Sequence, residues 1–340
     1  MSEAYISGIS YYLPKKMLTN DDIHEKHPEW SIDKISQKTG VDQRYLVEDD
    51  ECSSDLGVNA AERLFDKYTI DKSCIDYLIF CTQSPDYFLP TTACIIQDRL
   101  GLGKHIGALD INLGCSGFVY GLGLAKGLII SGQANNVLLI TAETYSKFIH
   151  PKDKSSKTIF GDAAAATLIT NGALDSNGPR GKICSFVNRT DGSGYHHLIL
   201  RNGGMRHPDR NALDEYDESG AFIKNDDYLF MDGKEIFNFT AFQVPALVNE
   251  VIMKNAVEKE AIDHFIFHQA NSFMLQTIRK RCGIPAEAFY VNMSCANTVS
   301  STIPIALYQA FNEGLIKDGQ KVLIAGFGVG LSMSGTIINF

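Results

Sequence analysis

Cys115 stands in "DINLGCSGFVYGL" (residues 110–122), between an apolar approach and a run of small residues that opens a helix. At a helix N-terminus, unpaired backbone N–H groups and the positive end of the helix dipole favour a thiolate over a thiol. The chemistry open to such a cysteine is nucleophilic attack; its alternative is a small buried space-filler. "FIFHQAN" places His268 and Asn271 just past an apolar strand, where α/β folds display functional side chains. "SCANTVSSTIP" places Asn297 in a small polar turn ahead of a helix. Taken singly, the histidine reads as a core residue and the asparagine as a turn residue.

The elements that must position them come in two copies. "IDYLIFCTQ" from Ile75 and "IDHFIFHQA" from Ile262 stand 187 positions apart, and each reads as a short strand covered on both faces. Val137 and Val322 head a second pair of apolar strands 185 positions apart, each following a helix that ends at a glycine, Gly132 or Gly319. Helices alternating with apolar strands predict an α/β architecture. The near-equal spacings predict two similar halves, residues 1–172 and 173–340. Residues 172–235 are richer in Gly, Asn, Asp and Pro and read as loops and an insertion. In a duplicated fold, the end of the strand at 262–268 and the turn at 295–300 lie opposite Cys115, so all three segments approach one central site.

The chain has 340 residues, 44% hydrophobic and 21% charged, enough for a large core. Its net charge of −9 and the lack of Lys/Arg runs argue against binding nucleic acid or anionic membrane. No apolar run reaches membrane-spanning length, and the N-terminus lacks a signal-peptide pattern. The eight cysteines contain no C-x-x-C pair and read as reduced thiols in a cytoplasmic protein. "GLGKHIG" and "GFGVG" lack the G-x-G-x-x-G pattern of dinucleotide sites. "YHHLIL" and His207 lack zinc spacing, so neither a metal nor a bound redox cofactor is expected.

"GCSGFVYGL", "FHQAN", "CANTVSSTIPIAL" and "GFGVGLS" together resemble β-ketoacyl-[acyl-carrier-protein] synthase III, a branch of the thiolase superfamily. "TGVDQRYLV", "FLPTTACIIQDRLG", "TIFGDAAAATLI" and "MDGKEIFNFT" extend the resemblance, in order, over nearly the whole chain. It implies a five-layered αβαβα fold, usually homodimeric. It also implies a triad of Cys115, His268 and Asn297, working on thioesters of CoA or phosphopantetheine with no bound cofactor. Cys115 would accept an acyl group from acyl-CoA or an acyl-carrier protein. His268 and Asn297 would then hold the carbonyl of malonyl-carrier protein or malonyl-CoA as it loses CO₂. The backbone N–H groups of Cys115 and Gly330 would form the oxyanion hole. Asn271 would position a water or the histidine, or cap the following helix.

The chain departs from the family pattern in its substrate-binding positions. The tryptophan usually found shortly before the Thr-Gly motif is Trp30, ten residues before Gly40, a distance that would break its contact with the CoA adenine. Lys38 and Lys154 stand where arginines are usual, keeping charge but losing the bidentate fork. Phe273 replaces an arginine that often greets carrier protein; Arg279, Lys280 and Arg281 could supply that patch instead. Leu89 matches the position that reaches across the dimer to cap the partner's acyl tunnel, usually an aromatic. Two other readings stay open: an acyltransferase of the same fold with an oxygen or nitrogen acceptor, and a type III polyketide synthase-like or quinolone-type condensing enzyme.

Overall fold

The computed structural model describes residues 3–172 and 178–340. Its main sheet has eleven strands. In chain order they are β1 (Tyr5–Tyr12), β2 (Tyr77–Cys81), β3 (Gly107–Ile111), β4 (Asn136–Glu143), β5 (Ala163–Thr170), β6 (Gly181–Ile183), β7 (Val187–Thr190), β8 (His264–Phe267), β9 (Phe289–Tyr290), β10 (Lys321–Gly328) and β11 (Ser332–Asn339). One set runs β3-β2-β4-β5-β1 and the other β9-β8-β10-β11, with β7 also on β11. In both sets the first two pairings are parallel and the next antiparallel. The echoed segments share register as well: Tyr77 faces Val137, and His264 faces Val322. The expected repeat is thus visible in strand order, direction and register. The expected boundary at 172/173 abuts residues 173–177, which lie outside the described residues. The short β6 pairs with both β1 and β11 and ties the sets into one sheet.

Six helices matter for the site: α1 (Ile32–Thr39), α2 (Ser53–Tyr68), α3 (Gly117–Ile130), α4 (Gly233–Lys254), α5 (Ser272–Cys282) and α6 (Thr302–Asn312). α3 touches strands of both sets, as does α6, whereas α2 covers only the first set and α4 only the second. This is the αβαβα layering, with α3 and α6 in the middle. α3 is apolar nearly all round because most of it is enclosed, with Leu124 and Ile130 left exposed towards its C-terminal end: Phe118, Val119 and Leu122 are fully buried, each burial contributing roughly 1.5–3 kcal/mol. They meet Ile303, Leu307 and Ile324 from the other half in one cluster.

One helix bears on the membrane expectation. α4 is 22 residues long and has a mean hydropathy of 1.3 over its most apolar window, enough by length and composition to cross a bilayer. Here it packs as a core helix: Ile236, Val244, Leu247, Val248 and Val251 join Phe265 and Leu323 in the cluster on the outer face of the second set. Its polar residues are spread between the apolar ones, which is why no uninterrupted run betrays it.

Candidate active site

Cys115 follows the turn after β3, immediately before Ser116, the N-cap of α3. Opposite it, β10 presents glycines at alternate positions, the period of a strand face. A Cβ on Gly326 would lie 2.7 Å from the Cys115 carbonyl oxygen and 2.8 Å from the Ser116 Cα. A Cβ on Gly328 would lie 2.8 Å from both Cβ and Sγ of Cys115. The strand must therefore be bare where it meets the thiol. Burial pushes the Cys115 thiol up to about 12, and the Val329 and Cys115 backbone N–H groups that hydrogen-bond it work in the opposite direction. The helix terminus does not make Cys115 a resting thiolate; burial outweighs it.

His268 is the first residue past β8, and its backbone N–H donates to the Ala325 carbonyl at 2.9 Å. Its Nδ1 lies 2.7 Å from Thr302 Oγ1, which leaves Nε2 as the ring nitrogen open to a ligand. Burial lowers its pKa to about 3, so the ring is neutral at physiological pH.

Asn297 sits in a tightly held turn. Its backbone N–H donates to Ile159 and its carbonyl accepts from Gly161, both at 3.0 Å. Ala296 (φ 61°) and Val299 (φ 55°) adopt left-handed backbone, which is uncommon for alanine and rare for a β-branched residue. Each such residue costs roughly 1–3 kcal/mol. The strain aims the Val299 N–H at Asn297 Oδ1, 2.9 Å away. With that oxygen occupied, the side chain offers its Nδ2 donors.

Cys115, His268 and Asn297 line one cavity of about 620 Å³, together with Phe327 and Gly328. Lys34, Lys38, Lys154 and Lys234 also line it, giving the cavity a cationic share in an acidic protein. α1 is held against α5 by Gly40, its left-handed C-cap (φ 71°), where a Cβ would come within 2.9 Å of Ser272 Cβ. The fold thus gathers one buried thiol, one neutral imidazole and one primary amide around a single space.

Residues 109–192 match the family model described as 3-oxoacyl-[acyl-carrier-protein (ACP)] synthase III, and residues 252–340 match the model of its C-terminal part. A curated relative from Clostridium perfringens, named beta-ketoacyl-[acyl-carrier-protein] synthase III, is 36% identical over 99% of each chain. The chain belongs to the 3-oxoacyl-[acyl-carrier-protein] synthase III family. Solved structures agree. A 3-oxoacyl-(acyl-carrier-protein) synthase III crystal structure is 43% identical, with a TM-score of 0.94 over 99% of this chain and 100% of that one. A 3-oxoacyl-(acyl-carrier protein) synthase from Burkholderia xenovorans LB400 is 34% identical, with a TM-score of 0.87 over 99% and 93%. Synthase III enzymes are acyl-transferring condensing enzymes of the thiolase-like fold, and this chain is one of them.

The structure places the predicted residues as follows, with one correction. Gly330 lies beyond the end of β10 with φ 135°, and a Cβ there would meet Ser332 rather than the thiol. The amide that reaches Cys115 Sγ is that of Val329. Glycine spacing in "GFGVG" does not reveal where the strand ends, and that end decides which amide turns inward. Asn271 caps α5, its Oδ1 accepting from Met274 N at 2.8 Å, and still lines the cavity. Lys38, Lys154 and Phe273 all line it too. Trp30, expected to lose its place through the long spacing, lies with Lys154 Nζ 5.7 Å from its ring centre. The extra residues are absorbed by α1, and the Trp30 ring stacks on His27 at 4.0 Å.

Of the basic trio, Arg279 is engaged with Gln276 and the Ile284 carbonyl. Arg281 sits 4.5 Å over the Phe242 ring, and Lys280 is exposed. Leu89 is 85% exposed beside exposed Tyr87 and Phe88, away from the cavity-lining residues.

Sequence reading missed Thr302, Val299, Val329 and Glu143. Glu143 ends β4, fully buried behind the site, and accepts from Ser300 Oγ (2.8 Å), Gln83 N (3.0 Å) and Ser84 Oγ (3.2 Å). It joins the Asn297 turn to the 83–84 loop. Burial raises its pKa from 4.5 to about 8 despite those donors. The folded protein therefore keeps a proton that the unfolded chain loses above pH ~4.5. Stability from this group is complete below that value and falls as pH rises toward about 8, by up to about 1.4 kcal/mol per pH unit. Urea unfolding measured between about pH 6.5 and 8, above the range where the lowered pKa of His268 gives an opposing slope, should show that decline. Glu143→Gln should flatten it over that window, which lies above the range where buried Asp162, raised to about 6, contributes.

Proposed function

We propose that this synthase III catalyses acyl transfer from an acyl thioester to Cys115, followed by decarboxylative Claisen condensation with a malonyl thioester. In the first step the thiol attacks the thioester carbonyl, and the departing pantetheine sulfur takes up the thiol proton. The N–H groups of Val329 and Cys115 hold the tetrahedral oxyanion. In the second step the malonyl C–C bond breaks, CO₂ leaves, and the electron pair forms an enolate hydrogen-bonded by His268 and Asn297. Enolate carbon then attacks the acyl carbon, the C–S bond to Cys115 breaks, and the thiolate regains a proton from solvent. The product is a β-ketoacyl thioester. Splitting the condensation through a cysteine thioester makes each step easier than direct attack.

The observation that carries this reading is the meeting of Cys115, His268 and Asn297 on one cavity, with the last two held neutral. A neutral donor pair stabilises an enolate without protonating it. Lys34, Lys38, Lys154 and Trp30 would take the phosphates and adenine of CoA. Lys280 and Arg281 would meet an acidic carrier protein. The exposed apolar run at Tyr87, Phe88 and Leu89 would pack against a second copy, with Leu89 closing the partner's acyl tunnel. We further propose two halves, 1–172 and 173–340, in a cytoplasmic enzyme that works without a bound cofactor.

The test is intact-protein mass spectrometry after exposure to a panel of acyl-CoAs, beside Cys115→Ala. An adduct that depends on Cys115 and discharges with CO₂ release on adding malonyl-carrier protein supports the reading. An adduct that only an alcohol or amine discharges overturns the condensation in favour of transfer to oxygen or nitrogen. No adduct from acyl-CoA or acyl-carrier protein overturns the assignment of Cys115.

A further inference from the structure

Thr302, the first residue of α6, is 3% exposed. Its Oγ1 lies 2.7 Å from His268 Nδ1 and 3.1 Å from the Val299 carbonyl oxygen. A hydroxyl has one hydrogen to donate, while a neutral imidazole carries one hydrogen shared between two nitrogens. These counts allow two complete arrangements. In one, Nδ1–H donates to Oγ1, the hydroxyl donates to Val299, and Nε2 presents a bare lone pair. In the other, the hydroxyl turns and donates to Nδ1, so the ring hydrogen sits on Nε2.

The two half-reactions ask for different faces of the ring. Cys115 has its thiol pushed up to about 12 and is served best by an acceptor. The malonyl carbonyl, gaining negative charge, is served by a donor beside Asn297 Nδ2. Alone, the Val299 carbonyl would hold the ring as Nδ1–H; the Thr302 hydroxyl can also donate at Nδ1 and so admits the other tautomer.

We propose that Thr302 is a positioning residue that sets the tautomer of His268, its hydroxyl donating or accepting at Nδ1 as Nε2 turns from acceptor to donor. The inference rests on the condensation proposed above and extends it. In the acyl-transfer step the thiol proton moves to Nε2 and from there to the departing pantetheine sulfur, restoring the neutral ring. The change of tautomer needs only exchange with water while the cavity is open. The Val299 carbonyl stays within reach of the ring in either arrangement, since His268 also hydrogen-bonds to it.

Thr302→Val removes the hydroxyl at nearly constant shape. The Nδ1 hydrogen is then held by Val299 alone, and Nε2 stays an acceptor. Acylation of Cys115, followed by mass spectrometry, should slow by less than about threefold, whereas CO₂ release from malonyl-carrier protein should fall about 30-fold, the scale of one lost hydrogen bond to a charged group. Thr302→Ser should bring both within about threefold of the parent, since it restores the hydroxyl. Nitrogen-15 NMR of the His268 ring, with no substrate present, should move from averaged shifts to the Nδ1–H limit in Thr302→Val and return in Thr302→Ser.

Ring shifts unmoved by Thr302→Val would overturn the proposal, as would an equal fall in both half-reactions, which is what loss of packing alone produces. If the parent enzyme forms no Cys115 adduct, the condensation reading fails, while the substrate-free ring shifts still decide the role of Thr302.

Discussion

Asn297→Ala should leave the Cys115 acyl adduct forming at close to its normal rate and slow its discharge by malonyl-carrier protein about 10²–10³-fold, the usual loss for one oxyanion donor. The asymmetry follows from the turn. Oδ1 is already occupied by the Val299 N–H, so the side chain has only donors to offer the cavity, and a donor matters most where negative charge develops. The backbone of Asn297 is clamped between Ile159 and Gly161. Removing the side chain therefore leaves the turn, and the thiol across the cavity, where they were. Single-turnover kinetics with pre-acylated enzyme separates the steps; equal slowing of acylation and discharge would sink the assignment.

The second large effect falls on acylation. Gly328→Ala should cut the rate of Cys115 acylation by about 10²-fold, because a misplacement of about 1 Å at a reacting atom has that cost. The added methyl would lie 2.8 Å from Cβ and Sγ of Cys115, and the thiol must move, since Gly328 is held in the ladder opposite Ser332 of β11. Overpacking of this kind also costs roughly 1–3 kcal/mol of stability, so denaturant unfolding belongs beside the kinetics. Val329→Ala is the companion: it keeps the backbone N–H and should keep acylation within about threefold, as expected when a main-chain donor does the work. A Gly328→Ala enzyme that acylates normally would mean that the cysteine does not react from this position.

How far such effects could be read from sequence depended on the kind of constraint. The repeat was legible because buried parallel strands carry near-continuous apolar runs, and Ile75–Gln83 and Ile262–Ala270 preserve theirs well enough to show equal spacing. Cys115 and His268 stood out because each follows such a strand, and Asn297 because its polar turn opens a helix. The oxyanion amide did not: every residue has an N–H, and only the turn after Gly328 selects Val329 over Gly330. The ten positions between Trp30 and Gly40 include the helix Ile32–Thr39, so spacing counted along the chain does not give their separation in space. Thr302 and Glu143 left no signal at all. Their roles lie in hydrogen bonds to residues 34 and 157 positions away in sequence.

The strand Gly181–Ile183, bonded to both strand sets, ties the repeats into one sheet, and the bridge between Phe160 and Asn297 joins them where the site forms. Each copy has kept the strand plan and given up part of the work. In the condensation proposed above, the first supplies the nucleophile and no imidazole; the second supplies the imidazole and amide and no nucleophile. A duplication often leaves a spare that is free to drift. Here the spare has become a dependant, and neither copy can be discarded, exchanged or re-doubled without dismantling the chemistry of the other.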